Sequence, residues 1–208
     1  MATYEDVITQ VEREIREHDA FPDASTKLDE QLEAIHRYAV GLQRDLPLAK
    51  LPVEKSSTLT KAAVFNGLLQ EADLPSDANF TRDDFGISQI QIVDGGGNEE
   101  YFTLGELMPF SILKDAADNS YQTDNLMASL DPSKRKIYTF ANIADIFVFY
   151  NKQQVLADDT NYTTTDINLD ENMIDVLVEA VCAHFTSVNA KDLSASQIHS
   201  TLSQILKE

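Results

Sequence analysis

One short stretch of this sequence has the residue spacing of an ion-binding loop. The run Asp-Ile-Asn-Leu-Asp at residues 166–170 matches the opening of a calcium loop, which alternates oxygen ligands with other residues. Such a loop also needs glycine at its sixth position and glutamate at its twelfth, where this chain has Glu171 and Leu177. We therefore reject a calcium site and interpret Asp170 as the cap of a following helix.

Three consecutive glycines at residues 95–97 could belong to a phosphate-binding loop. That loop continues into Lys-Ser or Lys-Thr, which this sequence lacks, and the neighbours Asp94, Glu99 and Glu100 would repel a phosphate. The glycines are more typical of a tight turn between two strands. We predict those strands at residues 88–93 and 100–103.

The remaining reactive side chains do not form a catalytic or metal-binding pattern. Four histidines are spread along the chain, and none has a second ligand at metal-site spacing: His18, His36, His184 and His199. The only cysteine, Cys182, lies in an apolar helical run and is interpreted as a small buried side chain. The sequence has no nucleophile elbow, Walker loop or dinucleotide fingerprint. We therefore predict that the protein is not an enzyme and binds no cofactor or metal.

The charge balance restricts the possible partners. The 208 residues include 35 acidic and 16 basic side chains, which give a formal net charge of −19. Such a surface repels DNA phosphates and anionic membranes, so we expect neither tight DNA binding nor membrane contact. Two uses of an acidic surface stay open: lining a passage through which DNA slides, and imitating DNA for a basic partner. Without a signal-peptide pattern or a membrane-length apolar run, we expect a protein that is made and kept in a cytoplasm.

Two helices are predicted at the start of the chain. Apolar residues between Val7 and Ile15 recur on one helical face behind a cap at Thr3. A second seam runs from Leu28 to Leu42, and the short connection predicts an antiparallel helical hairpin at residues 1–45. Residues 46–208 would form a helical core with β-hairpins, and a single domain overall stays open.

The rest of the chain predicts more helix than strand. We expect helices at residues 58–72, 110–116 and 170–185, and a polar loop at 115–131 with a turn of helix at 126–130. Two β-type runs, at residues 136–141 and 145–150, have a short connection that fits a hairpin, whose aromatic surface the last of these helices would cover. The predicted fold class is therefore α+β and predominantly α-helical, a helical bundle with one or two β-hairpins.

Two segments are candidates for contact with a partner or another subunit. The basic cluster of Lys134, Arg135 and Lys136 could meet an acidic partner, although a solvated turn entering a strand is the default interpretation. A final helix follows a capping box at residues 194–197 and carries a thin apolar stripe that can pack as a lid or reach a neighbour. The apolar residues of this second candidate are Leu193, Ile198, Leu202 and Ile205.

Three motifs in the last third of the chain carry a family resemblance. They are Lys-Ile-Tyr-Thr-Phe at residues 136–140, Ile-Phe-Val-Phe-Tyr-Asn at 146–151, and the helix start within 167–181. This order of strand, strand, acidic-polar linker and apolar helix resembles the head-to-tail connector proteins of tailed bacteriophages, the adaptor or ring proteins beneath the portal. Residues 59–75 fit the same proteins loosely, and the long N-terminal hairpin departs from their pattern.

The resemblance implies a structural virion protein in the portal, neck or tail, assembled in the host cytoplasm. Its subunits would form a ring of twelve copies around the DNA channel and bind the portal protein and other neck or tail proteins. DNA would pass as cargo without tight binding. Because like-charged subunits repel, subunit contacts should be apolar or locally complementary. The alternative is an acidic DNA mimic or inhibitory protein that acts on a basic partner, although basic residues interspersed among the carboxylates argue against it.

Overall fold

The computed structural model describes residues 1–15, 24–118 and 126–190, with side chains described in 1–15, 28–118 and 126–185. The chain divides into two compact units. One unit comprises Met1–Pro52 and Gln154–Glu208, and the other comprises Val53–Gln153. The described helices are α1 (Tyr4–Ile15), α2 (Ala24–Asp45), α3 (Phe110–Asp118) and α4 (Glu171–Ala190). The described strands are β1 (Glu54–Lys55), β2 (Lys61–Val64), β3 (Leu69–Asp73), β4 (Ile87–Asp94), β5 (Glu99–Phe102), β6 (Ala128–Asp131), β7 (Lys136–Phe140) and β8 (Ile143–Tyr150).

Helices α1, α2 and α4 form the first unit around one apolar core. Helix α4 packs against both α1 and α2, and its buried residues include Ile174, Leu177 and Val181. Helix α1 starts as predicted, since the Asp6 carboxylate accepts hydrogen bonds from the backbone N–H (2.8 Å) and hydroxyl (3.0 Å) of Thr3. The backbone N–H of Asp6 donates back to the Thr3 hydroxyl (3.3 Å), and such reciprocal bonds satisfy backbone donors that a helix start leaves unpaired.

A buried glutamine attaches the segment that precedes α4 to these helices. The Nε2 of Gln154 donates to the Tyr4 hydroxyl (3.3 Å) and to the carbonyl of Asp166 (3.1 Å), while its Oε1 accepts from the backbone N–H of Asn168 (2.8 Å). Gln43 of α2 accepts from the backbone N–H of Gln154 (3.0 Å) and donates to the carbonyl of Asn168 (2.9 Å). These side chains supply hydrogen bonds that a segment without regular structure cannot form within itself.

The second unit is a sandwich of two four-stranded antiparallel sheets. The first sheet has the order β1-β8-β4-β5 and the second the order β2-β3-β7-β6. One core contains apolar residues from both sheets, among them Ile90 and Val148 from the first and Ile137 from the second. Helix α3 packs against β6 and β7, where Leu113 joins Tyr138 and Phe140 in a separate small core.

The predominantly helical fold class is wrong. The protein is α+β, 38% helical and 27% strand, and two four-stranded sheets replace the expected bundle with one or two hairpins. The predicted helix at residues 58–72 is the hairpin of β2 and β3, which turns through Phe65, Asn66 and Gly67. All three have positive φ (51°, 57° and 81°), and the Asn-Gly pair is a strong hairpin signal that outweighed the helical spacing.

The predicted hairpin of the two aromatic strands is also wrong. Strand β7 pairs with β3 and β6, whereas β8 pairs with β1 and β4, so the short connection moves the chain from one sheet to the other. Helix α4 buries its apolar face against α1 and α2 in the first unit rather than covering β7 and β8. The turn of helix expected at residues 126–130 is occupied by β6.

Other predictions are confirmed. Strands β4 and β5 pair around the glycine turn, where the Asp94 carboxylate accepts from the backbone N–H groups of Gly96 and Asn98, both at 2.8 Å. The helix predicted at residues 110–116 is α3, which follows Pro109, and Thr103 and Glu106 form a capping box before it. No helix among the described residues has the length and hydrophobicity that crossing a membrane requires.

A glycine and two asparagines fix one end of the sandwich. The backbone N–H of Asn151 donates to the carbonyl of Gly86 (2.8 Å), and the buried Asn79 donates from Nδ2 to Oδ1 of Asn151 (3.1 Å). Gly86 has φ +66°, and a Cβ there would lie 2.9 Å from both the Asn151 carbonyl oxygen and the Asn79 Cβ. Only glycine allows this close approach.

Gly86→Ala should therefore lower the free energy of unfolding by about 3 kcal/mol or more, because a left-handed backbone and a steric overlap add. Gly97→Ala is the matched control, since Gly97 has φ +84° and nothing within 4 Å of its added Cβ. That control should lose only about 1–2 kcal/mol. Urea unfolding followed by circular dichroism measures both, and equal losses would contradict the tight packing at Gly86.

Gln154→Met should lower the free energy of unfolding by about 2–4 kcal/mol, because it keeps the side-chain length but leaves buried backbone groups without partners. Gln10→Met is the control, because Gln10 is a partly exposed residue of α1 in the same unit. Thermal unfolding of the intact chain compares the two. A loss no larger than that of the control would show that the glutamine bonds do not stabilise the helical unit.

Candidate assembly surface

Strand β8 carries large apolar side chains on both of its faces. Ile146, Val148 and Tyr150 are buried in the sandwich core, as alternation along a strand requires. Phe147 and Phe149 point to the opposite side of the sheet and are only partly buried. The second sheet covers the inner face of the first sheet, and the two phenylalanines lie outside that core.

Side chains of three other strands lie beside these phenylalanines. Along the register, Phe149 is opposite Lys55 of β1, and Phe147 is opposite Gln91 of β4. Gln91 is in turn opposite Tyr101 of β5, and Glu99 lies two residues before Tyr101 on the same face. We call this surface the aromatic face and define it by Lys55, Gln91, Glu99, Tyr101, Phe147 and Phe149.

On one side of the aromatic face, a lysine and three aromatic rings lie close together. The Lys55 Nζ lies 3.9 Å from the centroid of the Phe147 ring and 5.6 Å from that of Phe149. The rings of Tyr101 and Phe149 are 6.3 Å apart, and Tyr101 is 47% exposed. Within the described ranges, no carboxylate forms an ion pair with Lys55. Its charge is therefore met by aromatic rings alone, an attraction of about 0.5–1 kcal/mol at an exposed site.

A hydrogen-bonded group of three occupies the other side. Gln91 is 2% exposed, and its Nε2 donates to Glu99 (2.8 Å) and to the Tyr101 hydroxyl (2.9 Å). The Tyr101 hydroxyl donates to the same Glu99 oxygen (3.0 Å), which raises the pKa of Tyr101. The Oε1 of Gln91 is buried and has no donor among the described residues. This side of the face therefore contains a negative charge and an unused acceptor.

The sequence candidates for partner contact lie elsewhere. Lys134 and Arg135 lie in the turn between β6 and β7, and Lys136 is the first residue of β7. Lys136 forms an ion pair with Glu71, Lys134 lies 3.5 Å from a carboxylate at the end of β6, and the Arg135 guanidinium lies 4.0 Å from the Phe80 ring centroid. All three cations thus have partners in their own unit. The other candidates, Leu193, Ile198, Leu202 and Ile205, lie outside the described residues.

A lysine, a tyrosine and two carboxylates meet at the edge where β1 pairs with β8. The Lys152 Nζ lies 2.8 Å from Glu54 and 3.6 Å from Asp77, and the Tyr150 hydroxyl donates to both carboxylates at 3.2 and 2.9 Å. Burial and these hydrogen bonds raise the pKa of Tyr150, so it stays a protonated donor. The group joins β1, β8 and the loop at Asp77, which is a structural role.

The side chains that could perform chemistry do not converge in the described part of the chain. No group of three or more His, Cys, Asp or Glu there is arranged to hold a metal ion. The Cys182 thiol lies 3.6 Å from the Glu14 carboxylate, and burial together with that charge raises its pKa to about 12. His36 contacts the Tyr4 hydroxyl at 3.2 Å and His184 contacts the Tyr38 hydroxyl at 3.4 Å, and burial lowers the pKa of both.

No protein-family model matches the sequence, and no curated protein matches it either.

Most residues of the aromatic face were missed by the sequence reasoning. The aromatic run at residues 145–150 predicts a strand that needs a cover, and the sequence wrongly indicates α4, which packs against α1 and α2. The usable signal was that β8 is apolar at consecutive positions, which is typical of a strand buried on both faces. Lys55, Gln91 and Glu99 had no signal of their own, because only the strand register places them beside the phenylalanines.

The Cys182 thiol should react slowly with a disulfide reagent such as dithionitrobenzoate at mildly alkaline pH. The thiolate is the reacting form, so a pKa raised to about 12 keeps the native thiol protonated until the pH approaches that value. Glu14→Gln should speed the reaction at constant pH by removing the adjacent charge, while Glu5→Gln, an exposed change on the same helix, should not. A native thiol as fast as the urea-unfolded one would contradict this environment.

Proposed function

We propose that this chain is a structural, non-catalytic subunit of a ring in the portal or neck region of a tailed bacteriophage. The observation that carries the proposal is the aromatic face, whose rings are only partly buried on a chain that otherwise repels its own copies through its net charge. Large aromatic side chains on a protein surface mark places where another protein binds.

The net charge supports a role in which DNA passes the protein without binding to it tightly. A net charge of −19 opposes the phosphate backbone, so a duplex passing an acidic wall would not stick to it. Subunits of this charge associate only where apolar or locally complementary surfaces overcome the repulsion. The aromatic face has both properties, since it combines rings with one cation and one carboxylate. By its sequence resemblance, the ring would contain twelve copies and bind the portal protein and further neck or tail proteins.

The direct experiment mixes the purified full chain with the portal protein of the same phage and examines the product by electron microscopy and mass photometry. The expected product is the portal with an added ring, whose mass is twelve times the 23.2 kDa of the chain. Phe147→Ser should reduce incorporation, because it removes a central ring of the aromatic face. Ile112→Ser should not, because this exposed residue of α3 lies outside that face.

The competing class of function is a DNA mimic, and the same preparation distinguishes it. A mimic would leave the portal unchanged and would displace duplex DNA from a basic DNA-binding protein in an anisotropy assay. Absence of the chain from the portal complex, with both proteins folded by circular dichroism, would refute the connector proposal.

A further inference from the structure

Each sheet of the sandwich has one open edge strand of four residues. Strand β5 pairs only with β4 in the first sheet, and β2 pairs only with β3 in the second, within the part of the chain that the structure describes. An edge strand turns half of its backbone N–H and C=O groups outward, where a further strand can pair with them. The other two edges are less available, because β1 has two residues and the backbone N–H of Met108 donates to the carbonyl of Ala128 in β6 (3.0 Å).

The two open edges lie on opposite sides of the sandwich. After β1 the chain continues beside β8, where the backbone N–H of Leu59 donates to a carbonyl of that strand (2.9 Å), and β2 begins two residues later. The Lys61 ammonium donates to the carbonyls of Ile143 (3.1 Å) and Ala144 at the start of β8. Strand β2 therefore lies on the β1 side, whereas the Met108 bond places the segment after β5 beside β6. Because β2 and β5 face away from each other, only two different copies could bring them together.

The two open edges differ in charge and in side-chain size. On β5, Glu99, Glu100 and Tyr101 are all exposed, and neither glutamate forms an ion pair within the described ranges. On β2, Lys61 is followed by two exposed alanines, and its ammonium contacts backbone carbonyls rather than a carboxylate. Strand β5 therefore presents an acidic edge, and β2 presents a small-residue edge with one cation.

The carboxylates near β2 leave it much less acidic than β5. Glu71 of β3 is opposite Ala62 and forms an ion pair with Lys136, and the Asp73 carboxylate lies 3.7 Å from the same ammonium. Asp145 follows the carbonyls that Lys61 contacts and lies on the outer face of the first sheet, where it forms no ion pair with Lys61 in the described chain. A cation at β2 thus stays available to an acidic strand.

We propose that β5 of one copy pairs with β2 of the next copy, so that neighbouring copies share one continuous sheet. Backbone hydrogen bonds between the two edges supply the contact, and the glutamates of β5 come within reach of Lys61. Because the two edges are different and lie on opposite sides of the sandwich, each copy uses one edge for each of two neighbours. Such a head-to-tail contact is heterologous, and it produces a closed ring when the rotation between copies divides a full turn.

The charges favour this pairing over the other ways to cover the two edges. Pairing β5 with a second β5 would bring four glutamates together, and like charges on neighbouring strands are destabilising. A basic peptide from an unrelated protein would cover β5 but leave β2 open. Natural sheets protect an open edge with charges, proline or a bulge, and Ala62 and Ala63 of β2 provide none of these. A head-to-tail contact covers both edges of every copy with one kind of interface.

This contact deepens the proposed function, on which it rests, by assigning the strands through which ring subunits bind each other. The two claims can fail separately. A portal complex that contains the chain but shows no β2–β5 contact would refute this contact alone. Head-to-tail oligomers of a chain that is absent from the portal complex would refute the portal ring alone.

Crosslinking of the full chain tests the contact. In a Cys182→Ala background, the variant with Ala62→Cys and Glu100→Cys is treated with a short bismaleimide, both at high concentration and bound to the portal. Denaturing gels should show a ladder that continues past the dimer, because each copy is joined to two neighbours. Either cysteine alone should leave only monomer, since the contact joins unlike strands. Replacing Ala62→Cys by Ile112→Cys, an exposed residue of α3, is the matched control and should give no ladder.

A pair of charge variants at one exposed position tests the complementarity of the edges. Ala62→Glu places a carboxylate beside the acidic β5 of the neighbour and should weaken association about fivefold or more in Kd. Ala62→Lys is of similar size and should associate at least as well as the wild type. Lys50→Glu makes an exposed position of the first unit more negative and should have no effect, which separates the contact from net charge. Sedimentation equilibrium and incorporation into the portal complex measure these differences.

Circular dichroism verifies that every variant is folded, and the positions changed on β2 and β5 are exposed. The proposal is overturned if the ladder is missing or stops at the dimer, which would indicate no contact or a two-fold contact. It is equally overturned if the Ile112→Cys control gives the same ladder, or if Ala62→Glu and Ala62→Lys associate equally well.

Discussion

The constraint on which the rest of this structure depends is that β8 is apolar on both faces, while its own sandwich buries only one of them. Ile146 and Val148 on the inner face join residues of the second sheet in a shared core, and the strand pairs with β1 on one side and β4 on the other. The outer face keeps Phe147 and Phe149, which Lys55 and Tyr101 flank without enclosing. Fully burying an exposed ring is worth about 1.5–3 kcal/mol, so covering the exposed part of these two partly buried rings would contribute a fraction of that to association.

The helical unit uses a different kind of stabilisation for its irregular part. The segment before α4 has few regular backbone hydrogen bonds, and Gln43 and Gln154 supply the missing partners from buried positions. Apolar helix faces form the core of this unit. The hydrogen bonds of the two glutamines hold the backbone of the irregular segment in place beside that core. Association surfaces need such rigidity, because a contact that must first be ordered loses affinity to conformational entropy.

The sequence predicted elements well where local chemistry decides the structure and poorly where long-range pairing decides it. The cap at Thr3, the turn at Asp94 and the helical stripe before Phe185 are local signals, and each corresponds to the element observed. The segment at residues 58–72 has helical spacing, yet its Asn-Gly turn and the available edge of β7 make it a hairpin. Strands β7 and β8 are adjacent in the chain but belong to different sheets. Proximity in the chain does not determine which strands pair. The aromatic face follows from that pairing and could be predicted only as an uncovered aromatic strand.

We propose that this protein acts by assembly, with the aromatic face covered in the working state. Hydroxyl-radical footprinting read by mass spectrometry measures this directly, by comparing dilute protein with concentrated and portal-bound protein. The account predicts that oxidation of Phe147, Phe149 and Tyr101 falls severalfold on assembly, while oxidation of the exposed Ile112 is unchanged. Equal oxidation of these aromatic residues in every state would contradict it.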